Sequence, residues 1–89
     1  MPLLGMHIVG VQMIEVGHPP ELLQHAQALE HWADCRERAV ERLELKIRQL
    51  ENQHRTDEAT RLRSAARYLR QAAVRDRLHA AALRRAAQQ

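Results

Sequence analysis

The distribution of glycine and proline is the strongest constraint on how this chain can fold. The sequence has 89 residues with three glycines and three prolines, and all six lie within the first 20 residues. Sheets and active sites built from loops need such residues at their turns. An elaborate α/β or all-β enzyme is therefore excluded, and helices are expected from Glu21 to Gln89.

Apolar residues repeat through this region at alternating steps of four and three, which is the spacing of a coiled-coil seam. One seam runs from Leu22 to Leu50, and a second runs from Leu62 to Ala87. The step between the two seams does not continue the heptad pattern. The chain is therefore expected to turn between Leu50 and Leu62.

The two seams predict an all-α fold, in which 19–89 form an antiparallel two-helix coiled-coil hairpin. Helix one is expected at about 20–53, the turn at about 53–57 and helix two at about 57–87. Thr56 is predicted to cap the start of the second helix with its side-chain oxygen.

Charged residues beside the seams predict which residues face each other. With Leu29 and Leu69 at heptad position d, position e is acidic on the first helix and arginine on the second. Antiparallel helices bring their e positions together, and the numbers of the facing residues then have the same total in every pair. The predicted register pairs are Arg36 with Asp76 inside the seam, and Glu30 with Arg84, Glu37 with Arg77, Glu44 with Arg70 and Glu51 with Arg63 beside it.

The opposite flank, at heptad positions c and g, is small and apolar and holds the single Trp and the single Tyr of the chain. A two-helix hairpin has one seam and is only marginally stable alone. We therefore expect a homodimer, in which a second copy covers this flank to give a four-helix bundle. The interface residues predicted on it are Ala28, Trp32, Cys35, Ala39, Tyr68, Ala72 and His79.

The first 18 residues form a separate apolar segment. The stretch His7–Val16 is rich in Val and Ile, which favours a β-strand with two apolar faces, yet 19–89 offer it no second strand. An N-terminal extended or β arm is expected at 1–18. Three states are open to this arm: it pairs with the sheet edge of another chain, it packs as an extended arm, or it is disordered when the chain is alone. Its predicted interface residues are Ile8, Val9, Val11 and Ile14.

No pattern in the sequence predicts catalysis or cofactor binding. His31 and Cys35 are one helical turn apart, but two ligands do not complete a zinc site. His31 and His79 are the only histidines that could lie beside Cys35, and neither a catalytic Ser-His-Asp pattern nor a Gly-rich phosphate loop is present in the sequence. We therefore expect no enzyme activity, no metal and no cofactor.

Basic residues concentrate in the second part of the chain, since no Lys or Arg precedes Arg36 and the formal net charge is +3. The leading hypothesis is a non-catalytic protein–protein interaction module, such as a small adaptor, chaperone, inhibitor or regulator, that uses the arm and a hairpin face. The alternative is a nucleic-acid-binding helical bundle. Its phosphate contacts would come from the arginines of the second helix that have no predicted partner, namely Arg61, Arg67, Arg75 and Arg85.

The cellular compartment is predicted from the only cysteine and from the start of the chain. Cys35 has no second cysteine with which to form an internal disulfide. The first residues lack the basic region of a secretion signal, and their apolar stretch is too short to span a bilayer. These features favour a cytoplasmic protein with no membrane partner.

Overall fold

A computed structural model describes residues 18–89 of the chain. Helix α1 is Pro19–Asn52 and helix α2 is Thr56–Ala87, and the two pack against each other. No strand occurs in 18–89. The prediction of two packed helices is therefore confirmed for this part of the chain. The predicted arm lies outside the described residues, together with Ile8, Val9, Val11 and Ile14.

Helix α1 begins at a pair of prolines. Pro19 and Pro20 occupy the first turn, where a missing N–H group costs nothing and the fixed φ angle suits a helix. The first backbone bond runs from the N–H of Leu22 to the carbonyl of His18, at 3.1 Å. Glu21 places a negative charge at the positive end of the helix dipole.

Helix α1 ends in a Schellman motif built on a histidine. His54 has a φ of 62°, the left-handed conformation that a glycine usually takes at this position. The N–H of Arg55 donates to the carbonyl of Leu50 at 2.9 Å, and the N–H of His54 donates to that of Glu51 at 3.0 Å. These two bonds satisfy carbonyls that the end of α1 leaves without helical partners, so the chain can turn within three residues.

The start of α2 differs from the prediction that Thr56 caps it. The N-cap residue is Arg55, which makes no side-chain capping bond, and Thr56 is already helical. The Arg55 guanidinium instead donates two hydrogen bonds to the Glu58 carboxylate, at 2.5 and 2.6 Å. The start of α2 therefore has an ion pair in its first turn in place of the predicted hydroxyl cap.

The core is a single narrow seam between the helices, and most of it is alanine. Small side chains let two helices approach closely, but each contributes little apolar area. The seam therefore leaves larger apolar side chains outside. The buried residues are Ala26, Leu29, Ala33, Val40, Ile47, Leu50, Ala59, Ala66, Ala72, Ala73 and Ala80.

The left-handed residue in the turn gives a first prediction. Replacing His54 by glycine removes the clash between Cβ and backbone in this conformation, which costs about 1–2 kcal/mol, and adds entropy to the unfolded chain. We expect His54→Gly to raise the free energy of unfolding by about 0.5–1 kcal/mol in urea titrations followed by circular dichroism. The matched control is Gln53→Gly, which should lower it because Gln53 has a φ of −92°. A destabilised His54→Gly variant would contradict this account of the turn.

Candidate functional site

One flank of the hairpin carries ion pairs between the helices. Arg84 donates two bonds to the Glu30 carboxylate at 2.7 and 2.8 Å, and Arg77 donates to Glu37 at 2.6 and 3.0 Å. Residues near the start of α1 thus meet residues near the end of α2, so the helices run in opposite directions. Each of the other register pairs is also in contact, namely Glu44 with Arg70, Glu51 with Arg63 and Arg36 with Asp76.

The pair formed by Arg36 and Asp76 lies inside the seam rather than beside it. The side chain of Asp76 is 14% exposed, and Arg36 donates a hydrogen bond to it from across the interface. A charge removed from water is costly unless it is paired in this way. The seam therefore tolerates these two charged residues only while they face each other.

Toward the open end of the hairpin, where α1 begins and α2 ends, carboxylates outnumber guanidinium groups. Arg77 donates to Asp34 at 2.6 Å as well as to Glu37. These hydrogen bonds lower the pKa of both carboxyl groups, more than partial desolvation raises it. Asp34 lies at heptad position b, outside the e column on which the pairing was predicted.

Toward the turn the balance on the same flank is reversed. A cavity of about 380 Å³, here called the arginine cleft, lies between the two helices. Arg48 and Arg67 line it from opposite sides, both exposed, and neither makes an ion pair with any residue of 18–89. The full lining is Glu44, Ile47, Arg48, Arg63, Ala66, Arg67 and Arg70.

The four arginines predicted to contact nucleic acid are spread over different parts of the hairpin, and only Arg67 lies in the arginine cleft. Arg61 lies in a hollow beside the turn, next to Leu62. Arg75 borders a shallow depression on α2, and Arg85 is exposed in the last turn. The cleft residue missed by sequence reasoning is Arg48. It occupies heptad position b, as Arg67 does, and this shared position was the available signal.

The aromatic flank is the name used here for heptad positions c and g of both helices, opposite the ion pairs. Trp32 is 53% exposed and Tyr68 is 64% exposed on it. Ala28 and Ala39 are half-buried, whereas Ala72 is buried within the hairpin and is not available to a partner. Large apolar groups therefore stand among small ones on a surface that the hairpin leaves uncovered.

Two contacts near Trp32 involve histidines. The exposed ring of His79 meets His25 edge to face, with ring centroids 5.2 Å apart. Cys35 is exposed, its Sγ atom lies 3.6 Å from Nε2 of His31, and Arg38 donates to the same sulfur at 3.3 Å. Within 18–89, no group of three or more His, Cys, Asp or Glu side chains is placed to hold a metal ion.

Comparison with protein-family models, with curated protein sequences and with solved structures gives no match to this chain. Neither α1 nor α2 is long and apolar enough to cross a membrane.

The ion pairs predict that acid destabilises the hairpin. Hydrogen bonds from Arg84 and Arg77 lower the pKa of Glu30, Asp34 and Glu37 below the usual values, 4.5 for Glu and 3.8 for Asp. Groups with a lowered folded-state pKa stabilise the fold above the unfolded pKa, and this stabilisation is lost as the pH falls through the folded pKa.

We therefore expect the Tm to be steady near neutral pH and to fall between about pH 5 and about pH 2 in thermal unfolding followed by circular dichroism. The variant Asp34→Asn/Glu37→Gln should show a lower Tm at neutral pH and a shallower fall in acid. A variant whose Tm falls in acid as steeply as that of the wild type would contradict the assignment to the Arg77 site.

Proposed function

We propose that the hairpin is a non-catalytic protein–protein interaction module that pairs with a second copy through the aromatic flank. The observation that carries the proposal is the exposure of Trp32 and Tyr68 on a helix pair whose own core is a thin alanine seam. Trp and Tyr are the side chains most enriched at the centres of protein interfaces. Their exposure supports an interface that the two helices of 18–89 leave open.

The thin core gives an energetic reason for pairing. Burial of apolar surface stabilises by about 25 cal/mol per Å², and only Leu29, Val40, Ile47 and Leu50 contribute larger side chains to the buried seam. A second hairpin would add another layer of apolar contacts along the same helices. The free energy missing from the single hairpin would thus come from association.

The shape and charge of the aromatic flank suit a helical partner. Ala28 and Cys35 are small and lie one helical turn on either side of Trp32, so a facing helix can approach closely there. The carboxylates at positions c and g of the two helices are those of Glu21, in the first turn of α1, and of Glu58, which accepts hydrogen bonds from Arg55. The cations on this flank that make no ion pair within 18–89 are Arg42, Lys46 and Arg61 toward the turn and Arg75 near the middle of α2. The apolar overlap between two copies is therefore proposed to centre on Trp32, at the open end of the hairpin.

The apolar N-terminal segment gives the module a second means of binding protein. Its Val- and Ile-rich stretch His7–Val16 suits addition to the edge of a partner's sheet, in which backbone hydrogen bonds supply affinity. A protein of this kind would act as a small adaptor, chaperone, inhibitor or regulator. The dimer would present two such segments.

Light scattering of the purified full-length chain tests the proposed pairing. We expect the mass of a dimer at both low and high salt, because the contact is apolar. Trp32→Glu should weaken the dimer by at least about 30-fold and give the mass of a monomer, since it places a charge at the centre of the interface.

The matched control is Leu45→Glu, which changes a similarly exposed apolar residue of α1 at heptad position f. This variant should remain a dimer, and both variants should keep their helical circular dichroism. A monomeric wild type, or equal loss of association in both variants, would refute pairing through the aromatic flank.

A further inference from the structure

We propose that the arginine cleft binds the phosphate backbone of a nucleic acid without reading its sequence. This inference goes beyond the proposed protein pairing, because the cleft lies on the ion-pair flank and the pairing uses the aromatic flank. It is carried by the charge balance of the cleft, by the free donors of its arginines and by the chemistry of its lining.

The cleft holds more guanidinium groups than the ion pairs between the two helices use. Arg63 and Arg70 are matched by Glu51 and Glu44, whereas Arg48 and Arg67 have no carboxylate partner within 18–89. The open end of the same flank shows the reverse, since one guanidinium there serves two carboxylates. Positive charge is thus concentrated at the turn end instead of being spread evenly along the hairpin.

The guanidinium groups in the cleft retain donors for an anion. Arg70 uses a single N–H group on Glu44, although a guanidinium carries five donors in a planar fork. Arg48 and Arg67 make no hydrogen bond to another side chain of the described part. Such forks match the geometry of phosphate oxygens and can bind them by paired hydrogen bonds.

The spread of these arginines favours a chain of phosphates over a single one. Arg63 and Arg70 are seven residues apart on α2, which is about 10 Å along the helix axis. Arg67 lies between them, and Arg48 extends the row onto α1. A nucleic-acid strand carries one negative charge at each nucleotide, so several successive phosphates can meet such a row.

The remaining lining argues against an acidic protein and against base recognition. Apart from its charged groups, the cleft is lined by Ile47 and Ala66, and both are buried at its floor. A protein partner would gain little apolar burial here. Among residues 18–89, no aromatic ring and no side-chain amide lines the cleft, so bases have nothing there to stack on or to pair with.

The test measures binding of the full-length protein to a fluorescein-labelled, mixed-sequence single-stranded RNA by anisotropy at several salt concentrations. We expect wild-type affinity to fall steeply with salt and to be equal for a second, unrelated RNA sequence. The variant Arg48→Gln/Arg67→Gln should bind at least about tenfold more weakly, with a log–log salt slope shallower by about 1.4, or about 0.7 for each lost phosphate contact. Its ion pairs between the helices remain intact.

The matched control is Arg38→Gln/Arg85→Gln, which also removes one exposed arginine from each helix, at heptad position f. It should change the affinity by less than about threefold. Equal weakening in the two double variants would overturn the cleft as the site. So would the absence of RNA binding, or binding of an acidic polyglutamate peptide as tight as that of the RNA.

The mass of the cleft variant by light scattering separates this inference from the proposed function. We expect an unchanged mass, because neither substitution touches the aromatic flank. Loss of RNA binding at an unchanged mass supports the cleft, whether the wild type is a dimer or a monomer. If the cleft variant loses RNA binding and also changes its mass, the loss is assigned to the change in assembly, and the cleft is not the binding site.

Discussion

The pair of Arg36 and Asp76 inside the seam fixes a register that an alanine-rich seam defines poorly. Alanines are nearly interchangeable in a seam, so sliding one helix by a heptad would change the apolar contacts little. The same slide would separate Arg36 from Asp76 and leave each charge facing a leucine of the other helix, whereas the row at position e would keep three of its four Glu–Arg pairs with new partners. The positions of the arginine cleft and of the aromatic flank both depend on this register.

The two proposed surfaces lie on opposite flanks, and this arrangement links them. If two copies pair through their aromatic flanks, both arginine clefts stay on the outside of the bundle. The dimer then offers two anion sites joined by rigid helices, and occupation of one site raises the effective concentration of the strand at the other. A nucleic acid long enough to reach both sites would be held far more firmly than one that reaches a single cleft.

Helices, seams and facing pairs could be predicted from the sequence because they depend on residue spacing and on the sign of charge. The backbone conformation by which α1 ends could not, because His54 takes a conformation for which sequence rules expect glycine. The cleft was not predicted because charge pairing beside the seam was examined only at heptad position e. Long side chains at position b, such as Arg48 and Asp34, reach the same flank. The contact of His25 with His79 depends on side-chain rotamers, which spacing does not define.

The ion pairs close loops of very different length, and this has a consequence for how the hairpin forms. Glu51 and Arg63 are separated by 12 positions in the chain, whereas Glu30 and Arg84 are separated by 54. Short loops close at a lower entropic cost, so assembly is expected to begin at the turn and to proceed toward the termini. The arginine cleft would then be complete before the helices meet around Trp32, and this open end would be the first part to fray. A partner bound at the open end would hold the two helices together where the hairpin is least stable.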